Sequence, residues 1–218
     1  MYDFLSLACI SCNKPVRLAI LESLHQNLFD VLPVFTVLGS VVAVLAFLAH
    51  RKPKIHLGLR REERSIVPLI STSIILGIGI GGFIDGIILH QILQWHEMFS
   101  NKLPPTNLVA KSVNMFWDGV FHVITLIATI IGVVSLFSLF QRTDVFISKR
   151  TFFGGMFFGW GLFNIIEGII DHHLLKLHNV REISQDIGFW NYSFLAVSAV
   201  MIVVAAMLIL SDFRARKR

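Results

Sequence analysis

Charge is what this chain of 218 residues has least of: Asp, Glu, Lys and Arg make up 15% of it, against about 25% in an ordinary soluble domain. Together with 55% hydrophobic residues and a mean hydropathy of +0.71, that scarcity argues against a soluble globular protein. Disorder fails for the opposite reason, because Phe, Ile and Leu are too abundant and net charge too small. Cysteine is nearly absent, with two residues in all, so a disulfide framework is excluded. The net charge of +5 would suggest nucleic acid in a soluble protein, but its distribution gives it another meaning. What remains is an all-α, polytopic membrane protein.

About 20 mostly apolar residues are needed to cross the hydrocarbon layer, and five runs of that size lie between charge clusters: 28–49, 66–93, 112–140, 151–175 and 190–210. Residues 15–27, with Leu18, Leu21, Leu24 and Leu28 interleaved with Arg17, Glu22 and Gln26, read as an amphipathic segment along the interface. The chain divides into an extracytoplasmic segment (1–27), a first span with a basic loop (28–64), a four-helix membrane core (65–211) and a basic tail (212–218). No cleavable signal peptide is evident at 4–10. Thirteen of the nineteen Lys and Arg residues follow the first, third and fifth spans, which puts those ends and the C-terminus in the cytoplasm and the N-terminus outside. The basic residues are therefore topology signals, and no nucleic-acid partner is expected; the partner implied is the lipid bilayer.

Shifted by 82 residues, the sequence matches itself: Gly77 and Gly79 fall on Gly159 and Gly161, Asp85-Gly-Ile-Ile-Leu-His90 on Glu167-Gly-Ile-Ile-Asp-His172, and His96 on His178. A weaker match sets Phe116-Trp-Asp118 against Phe189-Trp-Asn191. Spans two–three and four–five thus read as a parallel duplication of one hairpin, with span one added outside.

Measured from the flanking cytoplasmic charges at 1.5 Å per residue, Asp85, His90, Asp118, His122, Glu167 and His172 lie about 26–39 Å up a layer about 30 Å thick. Three helices therefore present an acid and a histidine near the outer face. Ionisable groups there are costly unless paired or metal-bound. These six are the candidate ligands of one or two transition-metal ions, because imidazole and carboxylate suit Zn, Fe, Mn and oxidised Cu, and no Cys stands among them. Gln91, Gln94, Asp171 and His173 form the candidate outer shell. Asp118 and His122 share a helix face at i, i+4, whereas Asp85–His90 and Glu167–His172 are i, i+5, about 140° apart on a regular helix. Either each helix carries a π-bulge there, or one member of each pair stands behind the ligands. His96 and His178 recur in the match but fall just beyond the helices, so they read first as solvated and only second as further metal ligands. The rival readings of the same residues are a proton or ion relay and a structural polar network.

Gly77-Ile-Gly-Ile-Gly-Gly82 matches a dinucleotide fingerprint as a string, but no strand precedes it, so the glycines read as close helix packing. Trp95, Trp117 and Trp190 fall where an outer aromatic belt belongs. Cys9 and Cys12 make a lone CxxC, open to a disulfide, a metal-capturing role or chance. If the protein is an enzyme, a metal-dependent hydrolase or oxidoreductase is the class, with Asp171 as general base.

The series Gly81-Gly-Phe83-x-Asp85-Gly-x3-His90-Gln-x2-Gln94-Trp-His96, Asp118-Gly-x2-His122 and Asn164-x2-Glu167-Gly-x2-Asp171-His-His173-x4-His178-x2-Arg181-Glu182 resembles a bacterial family of predicted membrane proteins known as a domain of unknown function, over about residues 66–210. The resemblance implies the bacterial inner membrane and a respiratory or copper-handling partner protein. This chain departs from the family's pattern at Glu97, where a histidine is common, and at Asn191, where an Asp is.

Overall fold

The computed structural model describes residues 13–51 and 64–216; Cys9, Cys12 and much of the first basic loop lie outside them. Five helices are long and apolar enough to cross a membrane, and no extended strand occurs among the described residues. They are α1 (Lys14–His50), α2 (Val67–Ile84, continued as a π-helical segment Asp85–Ile92), α3 (Leu108–Phe140), α4 (Lys149–Glu167, continued as a π-helical segment Gly168–Leu174) and α5 (Ile187–Arg216).

The amphipathic segment 15–27 is continuous with the first span in a single helix. It forms about the first three and a half turns of α1, started by the Asn13 side chain accepting from the Val16 backbone N–H and by a proline in the first turn. One side of it is buried by the protein, with Val16 and Ile20 in the same core as Val113 and Trp117, while Leu18, Leu21 and Leu28 stay exposed. Trp117 leaves the expected aromatic belt. It is fully buried, and its indole N–H donates to Ser23 Oγ at 2.7 Å, which ties α1 to α3.

α2 is the central helix: 72% of its most apolar stretch is buried, against 11% for α5. Its glycines let other backbones reach it. A Cβ on Gly77 would stand 2.1 Å from the Met156 carbonyl oxygen, and one on Gly159 would stand 2.1 Å from that of Ile74. α2 and α4 therefore cross backbone to backbone, which only small residues permit in a membrane bundle.

The two ends of the bundle differ. At one, Arg142 closes α3 against α1 by donating to the Ala49 and Arg51 carbonyls, and Ser65 pairs with the 144–146 segment. At the other, the loops after α2 and α4 fold into each other, and there the buried acids and histidines collect.

Candidate functional site

Polar residues are concentrated where α2 and α4 abandon α-helical geometry. In a π-helical turn the hydrogen bond runs i→i+5, so residues five apart come onto one face. Asp85 Oδ2 stands 3.2 Å from His90 Nε2, and Glu167 Oε1 stands 2.8 Å from His172 Nε2. The i, i+5 spacing that a regular helix would have split is thus what joins each pair. Both segments end alike: Leu93 N–H donates to Ile88 O and Leu175 N–H to Ile170 O, while Trp95 N–H reaches Leu89 O and Leu177 N–H reaches Asp171 O. Gln94 and Lys176 then turn the chain with φ of 49° and 51°, the left-handed position that commonly closes a helix. Gly86 is required at this point, because a Cβ there would meet the His122 ring at 2.7 Å.

Beyond these turns the two loops exchange hydrogen bonds reciprocally. His96 Nδ1 donates to the Val180 carbonyl at 2.8 Å, and His178 Nδ1 donates to the Met98 carbonyl at 3.0 Å. The Met98 N–H goes to Asp118 Oδ1 and the Val180 N–H to Asn191 Oδ1, each at 3.0 Å. The two histidine–carbonyl bonds keep the 82-residue offset of the sequence match, while the two N–H acceptors, Asp118 and Asn191, are the residues of the weaker match. The exchange draws His96 and His178 inward, correcting their expected solvation: they are 2% and 1% exposed. Their ring centroids lie 4.6 Å apart and nearly parallel. His90 lies 4.3 Å from His96, and His172 lies 4.8 Å from His178.

The hydrogen bonds fix which nitrogen faces the centre. A carbonyl only accepts, so His96 and His178 donate from Nδ1 and turn Nε2 toward the centre. His90 Nδ1 is held by Asp118 Oδ1 at 2.9 Å, leaving its Nε2 toward Asp85. The centre they face is short of partners. His96 Nε2, Glu167 Oε2, Asp171 Oδ1 and His172 Nδ1 are buried without a hydrogen bond, and His178 Nε2 points at Glu167 Oε1 from 3.0 Å. Buried polar atoms are normally satisfied, so a cluster of unsatisfied ones asks for an ion or water. The ionic partners of Asp85, Asp118 and Glu167 are all histidines. A cavity of about 10 Å³, lined by Asp85, His90, Glu167, Asp171 and His178 among others, lies between them. It has the room of about one water molecule or one ion.

Two groups of potential ligand atoms draw within 4.8 Å of one another: His90, His96 and His178, and Glu167, His172 and His178. Of the six candidates from sequence, Asp85, His90, Asp118, Glu167 and His172 converge. His122 joins neither group. Its Nδ1 donates to its own helix at the Asp118 carbonyl, and its ring packs between Phe83 and Phe121. Gln91 and Gln94, read as outer shell, are exposed, because the widened turn rolls them away from the bundle. Asp171 lines the cavity, while His173 lies against Tyr192 with their rings tilted. Met98 and Phe121, which carried no sequence signal, line the cavity as well. The 82-residue match was the signal for His96 and His178.

At the rim, burial holds His96 well below the usual imidazole range, and neighbouring His90, His178 and His172 act in the same direction. Glu97 ion-pairs with Lys111; burial pushes its carboxyl up, opposed by that ammonium. Arg181 sits between the rings of Trp95 and Trp190, 5.3 and 5.1 Å from their centroids.

This is a membrane protein whose buried acid–histidine cluster occupies one end of a five-helix bundle. The chain belongs to the family described as predicted membrane proteins (DUF2243), whose model matches residues 72–212. No curated protein and no solved structure matches it.

Proposed function

We propose that the protein binds one or two transition-metal ions at this end of the bundle, through His90, His96, His172, His178 and Glu167. Four buried imidazoles with pairwise ring spacings down to 4.3 Å around unsatisfied carboxylate and imidazole atoms are the observation that carries the reading. Three of the imidazoles, His90, His96 and His178, have Nδ1 anchored to a carboxylate or carbonyl, which is how metal sites fix tautomer and aim. The donor set of nitrogen and oxygen suits Zn, Fe or oxidised Cu. A dication also supplies the positive charge that buried Asp85, Glu167 and Asp171 otherwise lack. When bound, the metal would act as a Lewis acid or redox centre, and Asp171 is placed to take up a proton beside it.

We read the recurrence of both π-helical turns and both histidine–carbonyl bonds as two copies of one hairpin. The site end then faces the outside of a bacterial inner membrane, with the basic residues retained in the cytoplasm.

Elemental analysis by plasma mass spectrometry of the detergent-purified chain tests the reading. About one or two metal equivalents, lost in His178→Ala but retained in His122→Ala, are expected. Absence of metal from the unaltered protein after reconstitution with Zn, Fe and Cu would refute it.

A further inference from the structure

A second cavity opens sideways into the bilayer. Between α1 and α3 lies a crevice of about 190 Å³, walled by apolar side chains and floored by Ile78 and Phe163 of α2 and α4. Small residues in membrane helices ordinarily let a neighbour approach, yet here Gly39 has nothing within 4 Å of where a Cβ would stand. Gly39 and Ala43 are exposed, so they form the mouth of the crevice and are not a helix–helix contact. On α1 the lining runs from Phe35 to Ala46, about 16 Å at 1.5 Å per residue, close to half of the ~30 Å hydrocarbon core.

One end of this crevice meets the acid–histidine cluster. Phe35 and Phe121 line both the crevice and the small cavity that holds Asp85, His90, Glu167, Asp171 and His178. The Phe121 ring lies 5.9 Å from the His90 ring and 14° from parallel to it, so one aromatic layer separates apolar crevice from polar donors. A dry apolar cavity takes up apolar ligands, and one facing the bilayer core is reached only by lipid-soluble molecules. Its volume is below the roughly 300–1,000 Å³ that enclose a whole drug-sized ligand, which selects a single tail over a polycyclic body.

We infer that the crevice between α1 and α3 binds the hydrocarbon tail of a lipid-soluble substrate and holds its compact oxygen-bearing head group against Phe35 and Phe121, one aromatic layer from the acid–histidine cluster. This names the substrate class for the proposed metal centre and rests on that reading for what the head meets; the tail site is separable from it.

Native mass spectrometry of the full-length, metal-reconstituted chain reads bound metal and bound lipid on the same particle. The probe is decyl-benzoquinone, with decylbenzene as the tail lacking an oxygen head. Expected is one equivalent of decyl-benzoquinone on the unaltered protein, bound at least tenfold more tightly than decylbenzene. Gly39→Phe, which puts a ring into open space, weakens probe binding at least tenfold with metal content unchanged, and Ala43→Phe does the same should Gly39→Phe fail to fold. Equal affinity for decylbenzene, full probe binding by both variants, or no binding to the unaltered protein each overturns the inference. Probe binding lost in Gly39→Phe, with no metal in any sample, refutes the metal centre and leaves the tail site standing.

Discussion

Asp118→Asn separates a residue that orients a ligand from one that merely holds the fold. Asp118 Oδ1 accepts two hydrogen bonds, from His90 Nδ1 at 2.9 Å and from the Met98 backbone N–H at 3.0 Å. An asparagine amide oxygen can take the backbone bond unchanged, as Asn191 does for the Val180 N–H. What the substitution removes is the negative charge that keeps the His90 proton on Nδ1 and makes Nε2 a stronger donor toward the centre. Loss of such a carboxylate–histidine partner typically costs 10–100-fold in metal affinity, or about 1.4–2.7 kcal/mol. Competition against a chromophoric chelator measures it, with thermal unfolding of the metal-free protein as the control for folding. The expected result is affinity down 10–100-fold and unfolding temperature essentially unchanged. Asp118→Ala adds a stability loss of about 1–3 kcal/mol, because the buried Met98 N–H loses its acceptor. Metal affinity within twofold of the unaltered protein in Asp118→Asn would refute the orienting role.

Three further outcomes follow from the packing. Gly159→Ala forces a methyl group against the Ile74 carbonyl oxygen and lowers stability by about 1–3 kcal/mol, whereas Gly39→Ala meets open space and gains up to about 1 kcal/mol of helix propensity; thermal unfolding in detergent should rank them in that order. Trp117→Phe deletes the bond to Ser23 Oγ and loosens α1 at a cost of about 0.5–1.5 kcal/mol, and an unchanged unfolding temperature would show that α1 is held by other contacts. With Cys9 and Cys12 replaced by Ser, Gln185→Cys should react with an impermeant maleimide in intact cells and Ser211→Cys only after lysis, and the reverse pattern would invert the topology.

The five spans were legible from composition and period alone, because a helix in lipid must satisfy its own backbone and be apolar over a fixed length. Asp85, His90, Asp118, Glu167 and His172 were legible for a related reason: an acid or histidine at that depth is too costly to be incidental. The 82-residue match located the glycines of α2 and α4, which pack backbone to backbone as their small size requires. Sequence also posed the i, i+5 question without answering it, since a spacing is consistent with either an α-helical or a π-helical turn.

Tertiary structure decided that question, along with the fate of His96 and His178. Their place depends on carbonyls 84 and 80 residues away along the chain, a contact that no local pattern encodes, and so a histidine that reads as solvated lies buried. His122 shows the converse. It shares a helix face with Asp118, but Gly86 and Phe83 approach its ring from the widened turn of α2, and the ring is turned away from both ligand groups. On α1 the side that meets the protein was decided in the same way: Val16 and Ile20 pack with Val113 and Trp117, while Leu18 and Leu21 remain exposed. Hydropathy and periodicity thus set which residues must leave water, while the choice of partner inside belongs to contacts between distant parts of the chain.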